Sequence, residues 1–238
     1  MRKAIIIGAS SGIGRELARV LAQDGYTLGL VGRRVDLLNA LQRELPAPSF
    51  VRQVDVSQTS EAMGQMEGLI GEMGAVDLIV ISAGVGFINT DLDWEKEKAA
   101  IDTNVSGFAA MANVAVRHFI RQSSGHLVGI SSIAALRGSG ASPAYNASKA
   151  FMSNYMEGLR QKMYKLKLPV IVTDVQPGLV DTAMAQGEGL FWVAPPEKAA
   201  QQIYKVIRSR RKHAYVTKRW RSIAWLLKLA PDRLHRKM

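Results

Sequence analysis

The sequence contains no cysteine among its 238 residues. A disulfide, a thiol nucleophile and a thiolate metal site are therefore excluded. It also lacks an uninterrupted apolar run of about 20 residues, the length that crosses a bilayer. The apolar start of the chain reaches Gly8 too soon for a signal-peptide core, and no small-residue cleavage pattern follows. These absences favour a cytoplasmic protein.

Negative charge is scarce at one end of the chain. Residues 1–204 carry 19 Lys/Arg and 19 Asp/Glu, whereas residues 205–238 carry 12 Lys/Arg against Asp232 alone. The whole net charge of +11 therefore belongs to the C-terminal segment. A basic tail indicates an anionic partner, either a phospholipid surface or a nucleic acid. Nucleic acid is the weaker alternative, because no recognition motif accompanies the charge.

Short apolar runs alternate with helix-length amphipathic segments along the chain. Most of the runs are continuously apolar, which is typical of strands covered on both faces. The predicted strands are Ala4–Ile7, Thr27–Val31, Phe50–Val54, Val76–Ile81, His126–Ile130, Val170–Val175 and Ala214–Val216. The predicted helices are 12–23, 58–73, 96–121, 144–166 and 197–209.

This alternation predicts one α/β domain over residues 1–217, followed by a basic amphipathic tail over residues 218–238. The domain is expected to be Rossmann-like, with a doubly wound parallel sheet of about seven strands and helices on both faces.

A glycine-rich turn, G-x-x-x-G-x-G, joins the first strand to the first helix at residues 8–14. Glycines there let the chain turn sharply, and they let backbone N–H groups approach a pyrophosphate at a helix N-terminus. The commoner spacing is G-x-G-x-x-G, but a strand before the turn and a helix after it favour a dinucleotide site.

The end of the second strand carries the signal for cofactor choice. It reads Gly32-Arg33-Arg34, with no acid before Asp36. Arginine pairs with a 2′-phosphate through two parallel hydrogen bonds, whereas a carboxylate would repel that phosphate. The sequence therefore favours NADP(H) over NAD(H), unless one or both arginines are solvated loop charges. After the third strand, Asp55-Val56 either lies near the adenine or caps the next helix.

Tyr145 and Lys149 are four residues apart in a predicted helix and so share one face. A phenol alone is a poor acid–base catalyst at neutral pH, and a nearby ammonium favours its phenolate. Ser132 follows a predicted strand, at the edge where a doubly wound sheet presents its active site. These three side chains indicate a proton-transfer site.

Together the motifs resemble the short-chain dehydrogenase/reductase family over residues 4 to about 217. Asn104, Ser132, Tyr145 and Lys149 match its catalytic residues, and the segment Pro177–Thr182 matches its nicotinamide-covering segment. The cofactor-binding residues that the motifs and the resemblance imply are Gly8, Ser10, Ser11, Gly12, Ile13, Gly14, Arg33, Arg34, Asp55, Val56, Ala83, Gly84, Asn104, Tyr145, Lys149, Pro177, Gly178, Val180 and Thr182.

The resemblance also implies a role for each catalytic residue. Tyr145 is expected to act as general acid in reduction and general base in oxidation, while Ser132 hydrogen-bonds the substrate oxygen. Lys149 is expected to lower the pKa of the tyrosine and bind the nicotinamide ribose. Asn104 is expected to hold a water of the proton relay. No metal is required, since the four histidines are scattered along the chain.

Two positions depart from the family pattern. Ile7 stands where the family usually has threonine, and Ser82 stands in Ile81-Ser82-Ala83-Gly84 where the family has asparagine. Both changes concern the support of the nucleotide site rather than the chemistry.

The segments that form the family's substrate pocket are apolar here. They correspond to Met184–Val193, Val85–Thr90 and Ala134–Ser142, and they include Phe87, Leu190, Phe191 and Trp192. This lining suits a small hydrophobic ketone, aldehyde or secondary alcohol. Alternatively, Phe191 and Trp192 only cover the core.

As a helix, the tail would group Trp220, Ile223, Ala224 and Leu227, with Trp225, Leu226 and Leu229 widening the apolar face. Such a helix either lies on an anionic membrane surface, as a peripheral protein would, or packs on the body or on another subunit.

The resemblance further implies a homodimer or homotetramer formed through the helices at 96–121 and 144–166. An oxidoreductase is the leading interpretation. The alternatives are an NADP(H)-binding sensor or scaffold without turnover, and a membrane-associated basic module.

Overall fold

The computed structural model describes residues 2–182, 191–229 and 231. Its strands form a single seven-stranded sheet, and every pair of neighbouring strands is parallel. The strands are β1 Lys3–Ile7, β2 Thr27–Gly32, β3 Ser49–Gln53, β4 Leu78–Ile81, β5 Gly125–Ile130, β6 Val170–Pro177 and β7 His213–Val216. All seven predicted strands are confirmed, with ends shifted by one or two residues.

Helices connect successive strands. They are α1 Gly12–Gln23, α2 Val35–Glu44, α3 Thr59–Met73, α4 Trp94–Ile101, α5 Phe108–Gln122, α6 Pro143–Lys165, α7 Pro196–Arg208 and α8 Trp220–Leu229. A π-helical turn, Asp102–Gly107, joins α4 to α5, and a short 3-10 helix, Ile133–Leu136, follows β5. Among the described residues, no helix has the length and apolarity needed to cross a membrane.

The sequence analysis assigned no helix between β2 and β3, and α2 corrects it. Only Leu38 and Leu41 of this helix are buried. Two apolar contacts, three residues apart, give a weak periodic signal, so the helix depends on packing against the sheet more than on its own pattern.

The strand order is β3-β2-β1-β4-β5-β6-β7. The chain runs outward from β1 to β3 and then returns to the other side of β1 for β4. Ligands of doubly wound sheets bind at this switch point, beyond the carboxyl ends of the strands. The hydrogen bonds from Ser82 N and Ala83 N to Ile7 O, each 2.8 Å, hold the ends of β1 and β4 together there.

Both faces of the sheet are covered, as predicted for a doubly wound fold. One apolar core lies between the sheet and α3, α5 and α6, and it includes Phe108 and Phe119. The other lies between the sheet and α1, α2 and α7, and it includes Leu17, Leu38 and Ile203. These layers fix the carboxyl edge of the sheet as a rigid platform for side chains.

The helix predicted in the tail is present as α8, and its inner side packs on the body. Trp220 and Ala224 are buried, while Trp225, Leu226 and Leu229 are exposed. The indole of Trp220 lies over Gly178, where a Cβ would come within 2.1 Å of the ring. Arg137 Nε donates a 2.9 Å hydrogen bond to Leu227 O near the end of the helix, where carbonyls lack intrahelical partners.

Candidate active site

A cleft of about 1080 Å³ opens at the carboxyl edge of the sheet, at the switch point between β1 and β4. We call the part formed by the glycine turn, Arg33, Arg34, Asp55 and Val56 its nucleotide end. The part formed by residues 85–88, 133–142 and Leu227 is its substrate end.

Most of the residues predicted for the site line this cleft. They are Gly8, Ser10, Ser11, Gly12, Ile13, Arg33, Arg34, Asp55, Val56, Ala83, Gly84, Ser132, Tyr145, Lys149, Pro177, Gly178, Val180 and Thr182. Gly14 and Asn104 lie directly behind the lining, where they support Gly8 and Gly84.

At two positions of the glycine turn, other backbone atoms lie too close for any residue but glycine. Gly8 has φ +95°, and a Cβ there would lie 2.5 Å from Ala83 N. A Cβ on Gly14 would lie 2.2 Å from Gly8 O. These approaches bring the first turn of α1 to the cleft, and the first-turn N–H groups of a helix have no intrahelical acceptor. The Ser11 side chain does not cap α1, and the first turn contains no acid. The nucleotide end therefore favours an anion.

Arg34 spans the glycine turn. Its Nη2 donates hydrogen bonds to Ser10 Oγ at 2.9 Å and to Ser11 Oγ at 2.6 Å. Arg33 is exposed, and its guanidinium lies 4.0 Å from the Asp55 carboxylate. The two arginines thus add positive charge beside the helix N-terminus. Of the two, Arg34 is held in place by the hydroxyls of Ser10 and Ser11.

The alternatives for Asp55 are partly resolved by its contacts. Asp55 Oδ1 accepts hydrogen bonds from Ser57 N at 3.0 Å and from Ser57 Oγ at 2.7 Å. It therefore stabilises the turn before α3. The N-cap of α3 is Gln58, which has no side-chain capping bond, so Asp55 is not the cap itself. Asp55 still lines the nucleotide end of the cleft.

Asn104 is fully buried in the π-helical turn and fixes the loop after β4. Its Nδ2 donates to Val85 O at 2.7 Å and to Ser148 Oγ at 3.0 Å, and its Oδ1 accepts from Val85 N at 2.9 Å. A Cβ on Gly84 would lie 3.2 Å from Asn104 Oδ1 and 3.3 Å from Lys149 Nζ. A glycine at position 84 therefore keeps the space between Asn104 and Lys149 open.

Ser132 and Tyr145 both line the cleft, and the Ser132 hydroxyl lies close enough to the Tyr145 hydroxyl to act on its pKa. Ser132 follows β5 directly, and Tyr145 lies in the first turn of α6. Burial raises the pKa of Tyr145 above its usual value, and the hydrogen bond to Ser132 opposes that rise. The net change is upward, so the phenol is protonated at neutral pH.

Lys149 is buried beneath the tyrosine. Its Nζ lies 5.7 Å from the centre of the Tyr145 ring and donates to Ile130 O at 3.2 Å. Burial lowers the pKa of Lys149 to about 8, and the Asp174 carboxylate acts in the opposite direction. The pKa of Tyr145 is raised because burial outweighs the opposing effect of Ser132, and the lowering by Lys149 that the resemblance implied stays a prediction.

Asp174 was not singled out by the sequence analysis. It is a buried carboxylate on β6, and it accepts hydrogen bonds from Ser131 Oγ, from Ser153 Oγ at 2.8 Å and from Gln176 Nε2 at 3.3 Å. The Ser131 hydroxyl thus holds Asp174, and both Ser131 and Ser132 line the cleft. No short-range pattern announces this cluster, since its members come from β5, β6 and α6.

Gly86 and Asn146 were also missed. A Cβ on Gly86 would lie 2.9 Å from the Tyr145 ring, so only glycine lets the loop after β4 pack on that ring. Asn146 Nδ2 donates to Ala134 O at 3.1 Å and to Arg137 O at 2.7 Å. This amide ties the 3-10 helix after Ser132 to the start of α6. In the sequence, the one hint of these contacts was a glycine, Gly86, within the apolar segment that follows β4.

The substrate end is mainly apolar, as predicted. It includes Val85, Phe87, Ile88 and Ile133, together with Leu227 from α8. The sequence analysis did not place the tail in the pocket, and Leu227 corrects this. Arg137 also lines the cleft, where its guanidinium holds the Leu227 carbonyl.

Phe191 and Trp192 are not among the residues that line the cleft, so of the two alternatives the structure favours a covering role over a pocket role. Their rings pack on Trp220, with centroid distances of 5.3 Å and 6.2 Å. Arg219 covers the Trp192 ring at 5.2 Å. The other part of the predicted pocket segment, residues 184–190, lies outside the described residues.

The two departures at the nucleotide end have different consequences. Ile7 is fully buried in the core, so the hydroxyl of a threonine there is replaced by apolar packing. Ser82 lies against Gly14, with its Cβ 3.4 Å from the position of an added Cβ, and its N–H still bonds Ile7 O. The backbone contact between β1 and β4 is thus kept. In the described part of the chain, no group of three or more His, Asp or Glu side chains could hold a metal ion.

The chain is similar in sequence to known proteins. A sequence model of the family described as short chain dehydrogenase matches residues 2–190. An uncharacterized oxidoreductase of Myxococcus xanthus is 39% identical over 188 residues, which is 77% of this chain and 74% of that protein.

Two solved structures share the fold at lower identity. A short-chain dehydrogenase from Sphingobium yanoikuyae in complex with NADPH has a TM-score of 0.81 and 21% identity, covering 100% of this chain and 96% of that one. An alcohol dehydrogenase from Thermococcus sibiricus complexed with 5-hydroxy-NADP has a TM-score of 0.77 and 24% identity, covering 91% of this chain and 95% of that one. With a family model matching most of its length, this chain belongs to the short-chain dehydrogenase family of oxidoreductases.

Proposed function

We propose that this protein is an NADP(H)-dependent oxidoreductase that interconverts a carbonyl group and a secondary alcohol on a small, apolar substrate. The observation that carries the proposal is the grouping of Ser132, Tyr145 and the buried Lys149 in one cleft that continues into the glycine turn, with Lys149 Nζ 5.7 Å from the centre of the Tyr145 ring. A proton donor and an anion site within one cleft are the two parts that this chemistry requires.

The cleft fits a dinucleotide at several points. The close approaches at Gly8 and Gly14 bring backbone N–H groups to the edge of the cleft, where a pyrophosphate would be held. At Gly84, the absence of a side chain leaves room between Lys149 and Asn104 for a ribose or a water. Thr182 closes the other side, since a Cβ on Gly12 would lie 3.0 Å from its methyl group.

The preference for NADP(H) is supported by Arg34. Its guanidinium already bonds two hydroxyls beside the glycine turn, and a 2′-phosphate would offer it stronger, charged acceptors. Arg33 reaches the same region from the next position, and its partner Asp55 is 4.0 Å away and partly solvated. The two solved structures named above were obtained with NADPH and with a derivative of NADP.

When bound, the cofactor supplies or accepts the hydride at the substrate carbon. In reduction, Tyr145 gives its hydroxyl proton to the carbonyl oxygen, and Ser132 holds that oxygen by a hydrogen bond. Because burial keeps the Tyr145 hydroxyl protonated at neutral pH, the free site is set for this direction. In oxidation the same oxygen of Tyr145 accepts the alcohol proton.

Lys149 and Asn104 assist the proton transfer. The Lys149 ammonium, beneath the ring, stabilises the phenolate that forms when the proton leaves. Asn104 Oδ1 uses one lone pair for Val85 N, and a carbonyl oxygen has a second. We assign that second lone pair to a water between Asn104 and Lys149, which would return a proton to the site.

The proposal is tested first by cofactor binding and then by turnover. NADPH and NADH are titrated separately, and a panel of apolar ketones and aldehydes is screened with the tighter cofactor. We expect micromolar binding of NADPH, weaker binding of NADH, and NADPH consumption that Tyr145→Phe abolishes. Binding without turnover on any carbonyl would favour a sensor, and failure to bind either cofactor would overturn the proposal.

A further inference from the structure

We propose that the outer face of α8, formed by Trp225, Leu226 and Leu229, docks on the surface of an anionic lipid bilayer. The proposed activity is not needed for this inference, which rests on the exposure, spacing and charge of the helix.

The two sides of α8 differ in what they contact. Trp220 and Ala224 fill the inner side against the body, and the Arg137 hydrogen bond holds the far end. On the outer side, Trp225 is 59% exposed and Leu229 is 74% exposed. The inner contacts already fix the helix, so the outer apolar side chains do not contribute to the fold by burial.

The outer face has the composition of a helix that lies in a membrane interface. Leu229 follows Trp225 by four residues, so their side chains lie one above the other, with Leu226 adjacent. Arg221 and Lys228, both exposed, flank Trp225 along the helix. Indole rings favour the headgroup level of a bilayer, where cations reach anionic lipid and apolar side chains enter the acyl boundary.

Aromatic surface continues at the start of the helix. Phe191 and Trp192 pack on Trp220 and remain about half-exposed, and Arg219 covers Trp192. Near the start of α8, an indole ring is thus covered by a guanidinium group.

The charge decides among the partners that an apolar face could take. Residues 205–238 have a net charge of +11, whereas residues 1–204 are neutral. A symmetric contact between two α8 helices would bring these like charges together, which is unfavourable. A nucleic acid would match the charge but leave Trp225, Leu226 and Leu229 without an apolar partner. An anionic bilayer satisfies both requirements.

Docking would also place the cleft at the membrane. Leu227, between the outer residues Leu226 and Lys228, lines the substrate end. One side of α8 therefore lines the cleft, and the opposite side is the surface that we assign to lipid. If the proposed function holds, apolar carbonyl compounds dissolved in the bilayer are the class of substrate with the shortest path to Tyr145.

The test is vesicle flotation of the full chain, without substrate or cofactor. We expect binding to vesicles that contain phosphatidylglycerol, little binding to pure phosphatidylcholine vesicles, and loss of binding at high salt. The variant Trp225→Ser/Leu229→Ser should bind the anionic vesicles about tenfold less well.

The matched control is Leu92→Ser/Trp94→Ser, which removes the same two residue types from another exposed site. Both residues are 63% exposed, and this variant should bind vesicles like the unchanged protein. Circular dichroism and NADPH affinity verify that both variants are folded.

Three results would overturn the proposal. The first is no binding to anionic vesicles, and the second is equal loss in the two variants. The third is a change of oligomeric state in Trp225→Ser/Leu229→Ser, which would make the outer face a subunit contact. Because vesicle binding is measured without turnover, a failure here is distinct from a failure of the proposed enzyme activity.

Discussion

The two ends of the cleft are built in different ways. The nucleotide end consists of short segments that directly follow β1, β2 and β3, and its closest contacts are made by backbone atoms at Gly8 and Gly14. The substrate end is assembled from side chains that are far apart in sequence, such as Phe87, Ile133 and Leu227. The difference indicates that Gly8 and Gly14 at the first end tolerate almost no change of residue, whereas the side chains of the second end can vary with the substrate.

The ends meet at Tyr145, where the largest effect is expected. Tyr145→Phe removes the proton donor and keeps the ring that packs on Gly86, so turnover should fall about 10³-fold, while NADPH affinity stays nearly constant. Steady-state rates and a cofactor titration measure the two quantities. Tyr164→Phe, at an exposed position of the same helix, is the control. A similar loss of NADPH affinity in Tyr145→Phe would show that the two ends are not separable.

Gly8→Ala is expected to distort the nucleotide end of the cleft. The new Cβ would lie 2.5 Å from Ala83 N at a φ of +95°, so the turn must shift away from the cleft. We expect about 100-fold weaker NADPH binding, together with a lower melting temperature. Gly71→Ala is the control, because a Cβ there meets nothing within 4 Å. Unchanged NADPH affinity in Gly8→Ala would contradict the proposed position of the pyrophosphate.

Arg34→Gln tests cofactor choice. Loss of a charged hydrogen bond to a 2′-phosphate should weaken NADPH binding about thirtyfold and leave NADH binding unaffected. Arg43→Gln, an exposed arginine in the last turn of α2, should alter neither. An equal weakening for the two cofactors would place Arg34 at a phosphate that both share.

The pH dependence concerns Lys149, where the ends meet. Burial lowers its pKa to about 8, so the ammonium is present below that pH and is lost above it. Because the pKa of Tyr145 is raised, that phenol remains protonated over the same range. Carbonyl reduction at saturating NADPH should therefore fall about fivefold between pH 8 and pH 9. A flat profile to pH 10 would show that the Lys149 charge is not required.

Leu227→Ala tests the substrate end and has the smallest expected effect. Removing the part of the side chain that lines the cleft should raise KM for an apolar substrate about fivefold and leave NADPH affinity unchanged. Leu226→Ala, the neighbour on the outer face, should change neither value. If the two variants behave alike, α8 is not part of the pocket.

The contrast between the ends also explains what the sequence could predict. The nucleotide end could be predicted from residue spacing. Gly8, Gly12 and Gly14 lie at the start of a helix, and Arg33 and Arg34 follow a strand. The helix period likewise placed Lys149 one turn after Tyr145. Strand ends and helical turns are local features, so their residues could be named from the chain alone.

The features that were missed depend on contacts between distant segments. Asp174 bonds Ser131 and Ser153, from β5 and α6, and Leu227 enters the cleft because Trp220 packs on Gly178. The apolar character of Phe191 and Trp192 suited both a pocket lining and a covering role, and the structure packs them on Trp220. Composition predicts that an aromatic residue is covered, and it does not predict by which neighbour.

The central claim is that this cleft transfers hydride to a carbonyl carbon with Tyr145 as proton donor. The most direct measurement uses NADPH deuterated at the transferring position of the nicotinamide, with the best ketone from the panel, and locates the label by mass spectrometry and NMR. The account predicts one deuterium on the carbinol carbon of the product, formed by the unchanged protein and not by Tyr145→Phe. An unlabelled product, or transfer at an undiminished rate in the variant, would contradict it.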